Sequence, residues 1–220
     1  MKKSKAVIGV LCGILAVALV VASVMVQIYG GRRQEAKANK KTTTLVVYFS
    51  ATGTTKKAAR KVKKATKGKL YRIKAAQPYT REDLDYYTKD NCRAQKEQND
   101  DNARPEIAGS IKNMSEYETI YIGYPIWWGK EPKIIRTFLE SYDLRGKKII
   151  PFCTSGGSGI SGSMSEIRES AKGANVIEGK DLTEVSLKSV KKWTKSIGKD
   201  RKSTRLNSSH YNISYAVFCL

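Results

Sequence analysis

The segment "TTLVVYFS" (43–50) is apolar or β-branched at nearly every position, the pattern of a strand covered on both faces. "YETIYIGYP" (117–125) and "KKIIPFCTS" (147–155) predict two more buried strands, and "NVIEG" (175–179) a further one. The alternation of apolar and basic residues in "KLYRIKAA" (69–76) predicts an edge strand. Between these runs the spacing changes to that of helices. Ala58, Ala59, Val62 and Ala65 share one face, with Gly68 expected as the C-cap. Behind Pro132, the residues Ile134, Ile135, Phe138, Leu139 and Tyr142 form a second apolar stripe. Ser163 and Glu166 read as a capping box opening a helix that stops at Gly173, and Leu187, Val190, Trp193 and Ile197 mark a last helix. Strands alternating with helices predict an α/β fold, a parallel sheet with helices on both faces. Residues 77–116 are too long and polar for a plain connection, which marks them as functional or partly disordered. Their part "DLDYYTKDNCRAQKEQND" (83–100) is expected to act as a flap over a ligand.

Both ends of the chain stand apart from this pattern. After "MKKSK", the residues Ala6–Val26 are uncharged and mostly apolar, a run of about 30 Å as a helix, the thickness of a hydrocarbon core. Residues 1–29 therefore read as a single-pass membrane anchor, the rival being a signal peptide cleaved near Val20-Val21-Ala22. An extracytoplasmic domain is expected, although the basic residues flanking the span on both sides give no clear orientation. Residues 30–42 form a small, polar, basic linker. Residues 200–220, "DRKSTRLNSSHYNISYAVFCL", resemble the in-frame translation of a sequencing-library adapter at every position except Tyr211 and Asn212. The domain is therefore expected to occupy residues 43–199. Setting the tail aside removes the chain's single histidine, His210, and with it any imidazole-dependent chemistry in the domain.

Residues 42–199 carry 30 Lys and Arg against 18 Asp and Glu. Such an excess suits an anionic membrane surface or acidic redox partner proteins. No finger, helix-turn-helix or RNP-type strand accompanies it, so nucleic acid is not expected. Cys92 and Cys153 lack metal-ligand spacing and read as ordinary loop and strand-end residues, so no metal site is expected.

In an open parallel sheet, ligands sit beyond the carboxyl ends of the strands, and three such ends here carry unusual loops. "SATGTT" (50–55) offers the hydroxyls of Ser50, Thr52, Thr54 and Thr55, with Gly53 letting backbone amides converge at a helix N-terminus. Lys56 and Lys57 oppose the macrodipole there unless an anion is held beside them. The loop is neither a P-loop nor a dinucleotide fingerprint, so a monoester phosphate fits best. "YPIWWGKEP" (124–132) sets two adjacent tryptophans at the next strand end, at least one of which must face the site or solvent, as a surface for a flat ring. "CTSGGSGISGS" (153–163) supplies close backbone approach through its glycines.

Through "VVYFSATG", "IGYPIWWG" and "PFCTSGGSG" the chain resembles the flavodoxin-like family over residues 43–197. The resemblance implies a flavodoxin-like three-layer sandwich, its five-stranded parallel sheet in the order 2-1-3-4-5, binding FMN noncovalently. It implies that Ser50, Thr52, Gly53, Thr54 and Thr55 hold the phosphate. Pro125, Ile126, Trp127, Trp128 and Gly129 would flank the isoalloxazine, and Thr154, Ser155, Gly156 and Gly157 its pyrimidine edge. The family's usual T-G-N-T reads T-G-T-T here, with Thr54 in place of an asparagine, and the domain is basic where flavodoxins are typically acidic. The implied function is electron transfer by a membrane-tethered flavoprotein with no catalytic side chain of its own. Two alternatives stand beside it: an FMN-dependent NAD(P)H:quinone oxidoreductase of the same fold, and a flavin-free docking module.

Overall fold

A computed structural model describes residues 43–85 and 92–198, together with Met25. The chain divides into two units, Met1–Lys41 and Thr42–Leu220. The expected anchor over residues 6–26 lies outside the described residues apart from Met25, as does the tail at 200–220. Among the described residues, no helix is long and apolar enough to cross a membrane.

Four parallel strands build the sheet: β1 (Thr44–Tyr48), β2 (Lys69–Arg72), β3 (Thr119–Pro125) and β4 (Lys148–Thr154). Two short strands, β5 (Asn175–Val176) and β6 (Lys180–Asp181), both pair with β4, and the order across the sheet is β2-β1-β3-β4-β5. The expected order is thus observed, with β2 at an edge. The single strand expected at 175–179 is instead two pieces. Ile149 and Cys153 both turn their carbonyls toward this edge, accepting from the amides of Ile177 and Leu182 at 2.9 Å each. By the two-residue alternation of a strand, Pro151 faces the same way and has no N–H to give, so the ladder breaks opposite it.

Helices cover both faces. On one side α1 (Thr54–Thr66) and a helix over residues 187–198, α5, bury Ala58, Ala59, Val62, Val190 and Ile197 against Val46, Tyr48, Tyr121 and Phe152 of the sheet. On the other, α2 (Arg93–Asn99), α3 (Lys133–Glu140) and α4 (Met164–Ser170) bury Ala94, Ile134, Ile135, Phe138, Leu139 and Ile167 against Leu45, Val47, Ile120, Ile122 and Ile149. The apolar stripes read from the sequence are these buried faces. α2 also shows that part of the 77–116 connection has structure of its own, with Cys92 and Ala94 buried beneath it.

Two expected caps differ. At the end of α1 it is Lys67, at φ 59°, that takes the left-handed conformation, donating its N–H to the Lys63 carbonyl at 2.8 Å. Gly68 follows it, where a Cβ would come within 3.0 Å of the Thr44 carbonyl oxygen. The Ser163–Glu166 capping box does not form: Ser163 donates to the Ile160 carbonyl at 2.8 Å, and Glu166 is drawn into ion pairs with Lys130 and Arg136.

Candidate functional site

The carboxyl ends of β1, β3 and β4 open onto one cleft of about 200 Å³. Ser50, Thr52, Thr54, Thr55, Pro125, Ile126, Trp127, Thr154, Ser155 and Gly156, all candidates from the sequence, line it. Gly53, Trp128, Gly129 and Gly157 belong to the same three loops but not to the lining, and Ala51 and Leu84 join it unannounced. Leu84, on a short helical turn at Glu82–Leu84, brings the 77–116 connection to the cleft, while residues 86–91 lie outside the described residues.

The first loop is shaped by Ser50. Its buried Oγ accepts from the amides of Gly53 at 3.1 Å and Lys56 at 3.3 Å, capping α1 from four residues before the helix starts. Gly53 turns the chain with φ 96°, a conformation costly for any side chain, although nothing would obstruct a Cβ there. The first-turn amides of Thr54 and Thr55 have no acceptor among the described residues, and no acidic residue stands in that turn. Thr55 and Thr154, both buried, share a hydrogen bond of 2.8 Å that ties the first loop to the third and leaves one hydroxyl hydrogen of the pair to give elsewhere.

The second loop is a tight turn. Trp127 and Lys130 exchange both backbone hydrogen bonds, at 2.9 and 3.0 Å, and the residues between them, Trp128 and Gly129, have φ of 47° and 78°. Positive φ at both central positions is the signature of a type I′ turn, which resolves the two tryptophans onto different sides. Trp127 is buried, edge-on to Phe49 and Tyr79 with ring centroids 5.7 and 5.3 Å away, whereas Trp128 is 45% exposed. The Tyr79 hydroxyl donates to Glu97 of α2, and the Arg93 guanidinium lies 4.3 Å over its ring. Gln98 of α2 donates from its side-chain amide to the carbonyls of Trp127 at 3.0 Å and Glu131 at 3.2 Å, clamping both sides of the turn.

Beneath this turn lies a group of charges that the sequence did not signal. Glu131 is fully buried, with Arg136 Nε 3.5 Å from one carboxyl oxygen. Burial pushes its carboxyl up to about 8, and the neighbouring Glu166 carboxylate adds to the shift. Burial also opposes ionisation of Glu166, but the hydrogen bonds and charges of Lys130 and Arg136 outweigh it and hold that carboxyl below its ordinary value. The two neighbouring carboxyls are thus pushed in opposite directions, Glu131 toward the protonated form and Glu166 toward the ionised one.

The third loop is organised from the split edge strand. Ser155 donates through Oγ to Asp181 at 2.6 Å, and the same oxygen accepts from the amides of Gly157 and Gly159. Thr183 accepts the Ser155 amide at 2.8 Å and donates to Asp181. Burial opposes ionisation of Asp181, yet the Ser155 and Thr183 hydrogen bonds hold its carboxyl below the usual range. Burial raises the thiol of the adjacent Cys153, which keeps it protonated. Among the described residues no group of His, Cys, Asp or Glu could hold a metal ion.

A cradle of helix amides and hydroxyls, an aromatic wall and a glycine-rich loop meet at one rim. This donor set fits a phosphate joined to a flat heteroaromatic ring. No curated protein matches the chain at a significant level. Among solved structures, a Bacteroides eggerthii protein described as a flavoprotein shares 43% identity at a TM-score of 0.67, over 70% of this chain and 97% of its own. A counterpart from Bacteroides uniformis shares 45% identity at a TM-score of 0.66, over 69% and 97%. A flavoprotein from Lactobacillus acidophilus in complex with FMN shares 32% identity at a TM-score of 0.54, again over 69% and 97%. The matched share of this chain has about the length of the domain, which lies within one compact unit, Thr42–Leu220. The model of the Flavodoxin family matches residues 43–197, spanning all three loops and every strand of the sheet. By its fold, its loops and these relatives, the chain belongs to the flavodoxin family.

Proposed function

We propose that the domain binds FMN in the cleft at the ends of β1, β3 and β4 and serves as an electron-transfer protein, held at a membrane by the apolar segment at residues 6–26. The observation that carries this reading is the convergence of the three loops: a phosphate cradle and an aromatic turn belong to one cleft. FMN, when bound, supplies the redox chemistry.

The residues of this chain bind, orient and screen. The amides of Thr54 and Thr55 and the hydroxyls of Ser50, Thr52 and Thr54 are placed to receive the phosphate, whose charge offsets Lys56 and Lys57. Trp127, fixed by Phe49 and Tyr79, and the exposed Trp128 present aromatic surface to the ring system. Glycine at position 129 lets the turn re-aim its backbone toward the ring edge at little conformational cost. The amides of Ser155 and Gly157 are already satisfied by Thr183 and by the Ser155 hydroxyl, so that loop meets the ring as a preformed edge.

Among the described residues no titratable group lines the cleft, and the reading assigns no proton transfer to a protein acid or base. Mixing the FMN-loaded domain with NADH or NADPH in a stopped-flow instrument tests it. Electron transfer as a carrier predicts no direct bleaching of the flavin, and rapid bleaching would make the protein an oxidoreductase in its own right. Fractionation of cells carrying the full chain tests the anchor: recovery in the membrane fraction after a salt wash supports it, and recovery in the soluble fraction opposes it.

A further inference from the structure

The excess of positive over negative charge in the domain is concentrated on one side of the sheet. α1 carries six lysines and arginines and α5 four, and neither helix has an acidic residue. On the opposite face, α2, α3 and α4 together carry five basic and four acidic residues. α1 and α5 share one apolar cluster, so their outer surfaces form a continuous face. Lys57, Arg60, Lys63 and Lys64 are exposed on the first helix, and Lys188, Lys191, Lys192 and Lys195 on the second. Among the described residues no ion pair involves any of the basic residues on these two helices; the ion pairs lie elsewhere on the domain.

Two further properties narrow the partner. Lysine is depleted in protein–protein interfaces, where arginine and buried aromatic anchors dominate. Here nine of the ten basic side chains are lysines, and among the described residues the exposed large hydrophobics, Met25 and Trp128, lie on neither helix. A broad lysine field without an apolar anchor suits the diffuse attraction of an anionic lipid surface, worth about 1 kcal/mol per basic residue close to it. The chain also enters at this face: Thr44, the first residue of β1, lines one groove with Ala65 and Thr66 of α1 and Thr194 and Lys195 of α5.

We infer that the outer face of α1 and α5 docks the domain on anionic lipid headgroups. The surface is distinct from the cleft, and the docking requires neither the bound flavin nor the apolar segment. The test uses the domain alone, residues 43–199, cosedimented with phosphatidylcholine vesicles with and without phosphatidylglycerol at rising salt. Binding is expected only with phosphatidylglycerol and is expected to be lost at high salt. The triple substitution Lys188→Gln, Lys191→Gln and Lys192→Gln should lower the partition coefficient at least about tenfold. The triple substitution Lys96→Gln, Lys112→Gln and Lys172→Gln makes the same change in net charge on elements away from this face and should leave partitioning within about twofold of the parent. Equal loss in both variants, equal binding to both kinds of vesicle, or no binding at all overturns the inference, the last assigning the face to a soluble polyanion such as an acidic protein. No arm depends on FMN, so failure here leaves the flavin reading standing.

Discussion

The side-chain amide of Gln98 donates to the backbone carbonyl of Trp127 at 3.0 Å, so a helix from the long connection holds the turn at the end of β3. The same amide reaches the Glu131 carbonyl at 3.2 Å, and both bonds are lost in Gln98→Ala. The Trp127 carbonyl keeps the Lys130 amide, whereas the Glu131 carbonyl loses this donor, at a cost of about 1–3 kcal/mol if it stays dry. The variant is expected to bind FMN about tenfold more weakly while keeping its secondary structure. Titration of flavin fluorescence, with circular dichroism alongside, checks both.

Glu131 predicts an unusual dependence of stability on pH. Its carboxyl is raised by burial to about 8, above the unfolded value near 4.5, so the folded protein holds a proton that the unfolded chain releases. That stability is complete below about pH 4.5 and is lost as pH rises toward 8. Glu166, held low by Lys130 and Arg136, acts oppositely and only in the acid range. Glu131→Gln should therefore flatten the fall in melting temperature between pH 5 and pH 9, and thermal melts across that range decide it.

Gly162 lies against the turn: a Cβ there would sit 2.5 Å from the Gly129 carbonyl oxygen, a backbone atom that cannot step aside alone. Gly162→Ala should destabilise the domain by about 1–3 kcal/mol and displace Gly129. Urea unfolding reads the first effect, and a shifted near-ultraviolet signal of the adjacent tryptophans the second.

Trp128 is 45% exposed, so its truncation should alter stability by no more than about 0.5 kcal/mol. As a wall for the ring system, it should matter to the flavin's energetics: Trp128→Ala is expected to shift the midpoint potentials of the loaded protein. A redox titration superimposable on the parent's would remove Trp128 from the flavin's surroundings.

How far the sequence carried these conclusions depended on the range of the interactions involved. The strands and helix stripes were legible because burial on both faces writes continuous or 3.6-spaced apolar patterns, as in "TTLVVYFS" and in Ile134, Ile135 and Phe138. The three loops were legible because positive φ and close approach demand glycine and small residues locally. Gln98, Asp181 and Thr183 were not, since a single polar side chain bonding a backbone group many residues away leaves no periodic trace. The break between β5 and β6 depends on a proline in the neighbouring strand, and the failed capping box on Lys130 and Arg136 reaching Glu166 from other elements. The excess positive charge was countable from composition, but its concentration on one side of the sheet needed the topology.

The central claim is that the three loops form a site for a phosphorylated flavin, and titration of residues 43–199 with FMN and with riboflavin tests it most directly. The account predicts saturable one-to-one binding of FMN with a perturbed visible spectrum, and binding of riboflavin, which lacks the phosphate, at least about tenfold weaker. An unchanged spectrum at saturating FMN, or equal affinity for the two flavins, would contradict it.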